Sequence, residues 1–168
     1  MRINAKFYKV SFEQFKNDMS DFNLDIEKLK EIYENIGLPR RATLGSAGYD
    51  FKAPIDINLE PGKTLKVPTG IRCEMPIDYV LMIYPRSGLG FKYRMQLNNT
   101  VGVIDSDYFN ALNEGHIMIK ITNDTNENKT INVKQGDGFA QGIFMSYGIT
   151  IDDEVNDVRT GGFGSTTK

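Results

Sequence analysis

The chain has 168 residues, 40% hydrophobic and 25% charged, with a net charge of −2. That is enough for one domain with a sizeable core, and it carries no basic field that would attract a nucleic-acid polymer. A single cysteine, Cys73, excludes an intrachain disulfide, and with a single histidine, His116, it argues against a His/Cys zinc site and a His-based nucleophilic triad.

The first residues lack the apolar run of a leader, and no stretch approaches about 18 consecutive apolar residues. A cytoplasmic chain with no membrane span is therefore expected. Residues 11–36 read as helical. Ser11 with Gln14 fits a capping box. Phe12, Phe15, Met19 and Phe22 recur at helical spacing, as do Ile26, Leu29, Ile32, Tyr33 and Ile36. A break near Asn23–Asp25 leaves two forms open, a helical hairpin or one kinked helix, which ends at Gly37 and Pro39. Its apolar face is expected to dock on the main domain or on a neighbouring subunit.

From about residue 42 short apolar runs alternate with turn signals. Strands are expected near Leu65–Ile71, Tyr79–Tyr84, Ile117–Thr122, Thr130–Val133 and Phe139–Tyr147. The fold class is mostly β, a distorted jelly roll or β-barrel of short strands with an N-terminal helical extension and a flexible C-terminal tail. The expected division is a helical extension over 1–40, a β domain over 41–158 and a mobile tail over 159–168. Cys73 is expected to be a small buried strand residue.

With His and Cys set aside, chemistry falls to carboxylates, hydroxyls, arginines and backbone amides. Arg159 followed by Gly161-Gly162-Phe163-Gly164-Ser165-Thr166 combines a guanidinium fork, glycines that admit close backbone approach to an anion, hydroxyl donors and one flat aromatic face. The same composition suits a disordered end. Arg86-Ser87-Gly88 suits a phosphate or an ordinary turn. In Gly102-Val103-Ile104-Asp105-Ser106-Asp107-Tyr108, Asp105 follows an apolar pair, and partial desolvation would fit it for general-base work. Gly48-Tyr49-Asp50 and Gly136-Asp137-Gly138-Phe139-Ala140-Gln141 each read as a turn entering a strand.

Taken together and in this order, these five segments resemble the five motifs of the trimeric, all-β dUTPase family, over roughly residues 42–168. The resemblance implies hydrolysis of dUTP to dUMP and pyrophosphate by in-line water attack at the α-phosphorus, with Mg²⁺ on the triphosphate. It implies that Asp105 orients and activates the water, that Tyr108 lies under the deoxyribose, and that Asn99, Val103 and Ile104 form the uracil pocket, with Met118 lining it. Ser87 and Gly88 would hold phosphate oxygens, and Arg86 would support the site by pairing with Asp50. Gln141 would contact the α-phosphate or, with Asp50, the water shell of the metal. Arg159 would meet the γ-phosphate and Phe163, with Gly164, Ser165 and Thr166, would close over the nucleotide. A homotrimer with shared sites is also implied.

Two departures stand out. Residues 109–113 read as a five-residue insertion after Tyr108, and Gly138 and Phe139 replace an arginine and an aliphatic residue, so any ion pair of that arginine is lost. His116, just after the insertion, is expected at the surface or at a strand end, since no carboxylate partner is evident. Two other readings remain: a dCTP deaminase-like enzyme of the same fold, opposed by Lys120 where a glutamate would be needed, and a nucleotide-sensing regulatory module.

Overall fold

The computed structural model describes residues 2–157 and Gly161. In chain order the elements are β1 (Lys6–Lys9), α1 (Phe12–Asp18), α2 (Ile26–Asn35), β2 (Arg40–Arg41), β3 (Tyr49–Lys52), β4 (Ile57–Leu59), β5 (Thr64–Pro68), β6 (Ile71–Glu74) and β7 (Tyr79–Pro85). There follow α3 (Ser87–Tyr93), β8 (Met95–Leu97), β9 (Gly102–Ile104), β10 (Met118–Asn123), β11 (Ile131–Val133) and β12 (Gly138–Ser146). The mostly β class is therefore the observed one, and the strands gather into four antiparallel groups. A five-stranded sheet runs β2-β3-β12-β7-β9, a three-stranded one β5-β10-β8, and two ladders pair β1 with β6 and β11 with β4.

Alternation fixes which side chains enter the core. In β10 Ile119, Ile121 and Asn123 point inward, while Lys120 faces out. Asn123 is fully buried, and it is tolerated because its amide donates to the Leu59 and Lys129 carbonyls. Phe51, Leu81, Ile83, Ile121 and Phe139 fill the space between the sheets. Cys73 is buried in β6 as expected, and burial pushes its thiol up to about 12.

The first 40 residues are not a purely helical extension. Lys6–Lys9 forms β1, paired with β6 in the register Phe7↔Cys73, so the helices are an insertion between two strands of the β body. Four residues, Lys6, Phe7, Tyr8 and Lys9, show no alternation that would have marked the strand. The helices do form a hairpin. A 3₁₀ turn at Ser20–Phe22 ends on Asn23 in the left-handed region (φ 50°), and Asp25 caps α2 through the Lys28 amide. Val10, Phe15, Met19, Leu29 and Ile32 make a second core. It docks on its own chain: a Cβ at Gly70 would lie 2.3 Å from Ile36 Cδ1 and 3.4 Å from Phe15 Cδ2.

The expected strand over Leu65–Ile71 is broken into β5 and β6, because Gly70 turns the chain at φ +73°. The segment after Pro85 is not a turn but α3. Its glycines are poor helix formers, and Leu89 and Tyr93 hold it by packing against the main core.

Candidate active site

The residues singled out by the sequence fall into three groups. In the first, β3 and β12 lie side by side with Asp50 opposite Gln141, and Arg86 follows β7 on the other flank of β12. Arg86 Nε sits 3.3 Å from Asp50 Oδ1, so the ion pair between the two segments is present. Gly138 explains how Arg86 fits there. A Cβ on that residue would come within 2.8 Å of Arg86 Nη1, so the glycine that replaces the usual arginine leaves room for this one. Gln141 Nε2 donates to the Pro85 carbonyl at 3.1 Å. Its Oε1 points to Gly48, where any Cβ would stand 2.5 Å from it. Arg86, Ser87 and Gln141 then line one open cleft of about 650 Å³ with Tyr84, Gly90 and Phe91. Arg86, Ser87 and Gly88 line another with Lys52 and Asn132.

The second group is a narrow crevice of about 10 Å³ lined by Ile83, Leu97, Asn99, Gly102, Ile104, Met118, Ile119 and Lys120. One wall is β9, an edge strand of the five-stranded sheet. Its outward amide and carbonyl groups therefore face away from β7 and are available to a planar polar ligand. Val103 is half exposed on this edge, between buried Gly102 and Ile104. No carboxylate lines this pocket among the described residues. Lys120 stands where a deaminase-like reaction would need one, which removes the chemical basis for that reading.

The third group surrounds Asp105. It directly follows β9 and precedes a 3₁₀ turn at Ser106–Asn110. It lines a cleft with Asp107, Asp78 and Tyr147. The desolvation expected for Asp105 is not found in the single chain. Ile104 is buried, and the strand alternation that buries it turns Asp105 outward. Tyr108 is 3% exposed; its hydroxyl donates to the His116 carbonyl and accepts from Asn113 Nδ2. It can therefore offer a ligand only part of its ring.

His116 corrects the sequence reading outright. It is fully buried, its Nε2 accepts from the Gly70 amide at 2.7 Å, and Nδ1 donates to Asp18 Oδ2 at 2.5 Å. The carboxylate partner lies 98 residues away in sequence, on α1. The capping box is also divided. Ser11 Oγ accepts from the Gln14 amide, but the Ser11 amide donates to Glu114 Oε2 at 2.7 Å rather than to Gln14. Ser11 Oγ donates to Glu114 Oε1 at 2.6 Å. Asn113, Glu114 and His116 are the residues near the site that sequence reading missed.

Burial alone would raise the Asp18 carboxyl, but hydrogen bonds from His116 and Gln14 outweigh it and hold the group low. Burial likewise opposes the Ser11 hydrogen bonds at Glu114, and again the bonds win. Both folded values lie below the usual 3.8 and 4.5. Their contribution to stability is therefore fully present above about pH 4.5 and is lost as pH falls through the lower folded values. Urea titrations from pH 7 to pH 3 should show that loss in the wild type, and a shallower one in Asp18→Asn/Glu114→Gln. Identical slopes would remove these two groups from the acid transition.

Asp105 and the Arg86–Ser87 segment lie at opposite ends of β7. Leu81 pairs with Ile104 near one end of β7, while Arg86 and Ser87 leave the other end. Extended chain rises about 3.3 Å per residue, so roughly 20 Å separates Asp105 from Ser87 along the strand.

Comparison with known proteins gives the family. The dUTPase family model matches residues 34–167. The chain belongs to the dUTPase family. It is 41% identical over 139 residues to the deoxyuridine 5′-triphosphate nucleotidohydrolase of Lactococcus lactis subsp. lactis (strain IL1403), covering 80% of this chain and 91% of that one. The Haemophilus ducreyi (strain 35000HP) nucleotidohydrolase is 42% identical over 152 residues, covering 83% and 95%. Among solved structures, the Streptococcus mutans dUTPase superposes with a TM-score of 0.63 at 32% identity, covering 86% and 97%. A dUTPase mutant from phage phi11 of S. aureus, described for its coordination of a structural Mg(II) ion, has a TM-score of 0.63 at 19% identity, covering 92% and 97%. This last likeness concerns the dUTPase fold alone. Arg159, Phe163, Gly164, Ser165 and Thr166 lie outside the described residues.

Proposed function

We propose that this dUTPase-family chain hydrolyses dUTP to dUMP and pyrophosphate in a homotrimer whose sites are shared between copies. The observation that carries the reading is β9: an open strand edge beside Asn99 and Met118, in a pocket without a carboxylate. Backbone groups held in a strand present a fixed donor and acceptor pattern that suits the uracil edge. Cytosine, with the opposite pattern, would leave them unpaired. Val103 and Ile104 supply that edge, and Met118 bounds the pocket.

Asp105 orients the attacking water and takes its proton. Tyr108 forms the floor below the deoxyribose. Ser87 and Gly88, from a second copy, hold the phosphate oxygens, with Gln141 at the α-phosphate. Arg159 and Phe163, with Gly164, Ser165 and Thr166, close the site. The roughly 20 Å between Asp105 and Ser87 within one chain supports sharing, because a second copy must supply one of them. Burial of the outward-facing Asp105 at such a junction would also provide the desolvation that the lone chain lacks.

The residues fit a hydrated Mg²⁺ carried on the triphosphate. Among the described residues no group of three or more His, Cys, Asp or Glu side chains is placed to cage an ion. Gln141 can accept from a metal-bound water through Oε1, and Asp50, paired to Arg86, contributes negative charge nearby. When bound, the ion neutralises the phosphate charge that develops during attack. Among the described residues no helix is long and apolar enough to cross a membrane, and we place the reaction in the cytoplasm.

Pyrophosphate release should be measured across dUTP, UTP, dTTP and dCTP with Mg²⁺. A preference for dUTP of about 10²-fold or more over UTP and dCTP is expected. Release of ammonia from dCTP, or equal rates on dUTP and UTP, would overturn the reading.

A further inference from the structure

The helical insertion touches the site through a short series of polar contacts, all converging on the residues after Tyr108. Asp18 on α1 receives Gln14 Nε2 at 2.8 Å and His116 Nδ1 at 2.5 Å. The His116 ring is held from its other side by the Gly70 amide, so its orientation, and that of its backbone, is fixed between two elements. The His116 carbonyl is what the Tyr108 hydroxyl donates to, at 2.8 Å, while Asn113 Nδ2 donates to that hydroxyl at 2.7 Å. A second contact runs in parallel: Glu114 holds both the amide and the hydroxyl of Ser11, the residue that caps α1.

The turn at 113–116 rests directly on Tyr108. Gly115 has φ +68°, and a Cβ there would stand 2.5 Å from the Tyr108 carbonyl oxygen and 2.7 Å from Phe109 Cα. On the far side Arg72 donates to the Phe109 carbonyl at 2.5 Å and lies 3.7 Å over its ring. Arg72 Nε and Asn113 Oδ1 are buried with no partner among the described residues.

We propose that Asp18, acting through His116, and Glu114, acting through Ser11, are positioning residues that brace Tyr108 from the helical insertion and so set discrimination at the sugar. The role in discrimination rests on the dUTP-hydrolysing reading; the brace does not. An aromatic floor rejects a 2′-hydroxyl only while it is held close. A brace that loosens it should affect substrate choice and binding before it affects the proton transfer at Asp105. The insertion is then part of the specificity apparatus of this chain rather than a packed appendage.

The test compares wild type, Asp18→Ala, Asp18→Asn and Ser11→Ala by kcat and KM for dUTP and UTP, and by hydrogen exchange of amides 108–116 against those of β12. Asp18→Ala should raise KM for dUTP about tenfold with kcat within about threefold, and lower the dUTP-over-UTP preference about tenfold. Exchange at 108–116 should quicken while β12 stays protected. Asp18→Asn keeps an acceptor for His116 Nδ1 and should restore both readouts. Ser11→Ala should shift them in the same direction as Asp18→Ala, less far, and it decides the matter if Asp18→Ala does not fold. Unchanged preference and unchanged exchange at 108–116 in the folded variants would overturn the proposal, as would failure of Asp18→Asn to rescue. A wild type inactive on dUTP would instead overturn the functional reading, and the exchange data would still judge the brace.

Discussion

Replacing Asp105 with asparagine is expected to lower kcat for dUTP by about 10²–10⁴-fold, the range usual for loss of a positioned base. Asparagine preserves shape but cannot take a proton from water. The backbone should be unaffected, because Asp105 sits in extended geometry (φ −73°, ψ 156°) and its side chain does not cap the 3₁₀ turn that follows. KM should change little, since Asp105 lines neither the pocket on β9 nor the clefts beside Ser87. Single-turnover pyrophosphate release, with a thermal melt of the same sample, checks both halves. A variant that turns over within about threefold of wild type would place the base elsewhere.

Phe15→Ala should be the most damaging change in the helical insertion, costing about 3–5 kcal/mol. Phe15 is fully buried in the second core. Its ring lies 5.8 Å from that of Tyr33 and 6.3 Å from that of His116. It also approaches the Gly70 turn that separates β5 from β6. Truncation removes a large apolar side chain where few neighbours can collapse into the gap, because the Gly70 turn and the His116 ring are tied down by hydrogen bonds. Urea unfolding gives the measurement. A loss below about 1 kcal/mol would mean that the helices rearrange freely and do not form one core with the turn.

Much of the β body was legible because its strands are short and half buried. The alternation in Ile117–Thr122 and the run Phe139–Tyr147 both reappear within one or two residues as β10 and β12. The helices were marked by apolar spacing and the break near Asn23, while the choice of a hairpin over one kinked helix was decided by the structure. What escaped were features decided by tertiary contact. β1 is four residues whose pairing with β6 spans more than sixty positions, so no local pattern marks it. α3 contradicts its own glycines and exists because Leu89 and Tyr93 find the core. His116 was misjudged for the same reason, since Asp18 is near it only in three dimensions. At the site, the ordering of the five motifs identified Asp50, Arg86 and Gln141 as one group. Their sequence gave no sign that Asp105 would face outward at the opposite end of β7. That requires knowing which strand pairs with which, and in what direction.

The five-stranded sheet has a consequence for synthesis. Its middle strand, β12, is the last in chain order among the described residues, and it is paired on one side with β3 and on the other with β7. As the chain leaves the ribosome, β2 with β3 and β7 with β9 can each form only a two-stranded fragment, and such fragments are marginal alone. They are joined only when residues 138–146 arrive between them. The same event carries Gln141 into place beside Asp50 and brings the Asp50–Arg86 pair together across the new strand. A nascent chain stopped before β12 would therefore lack both a joined sheet and the pairing of Gln141 with Asp50.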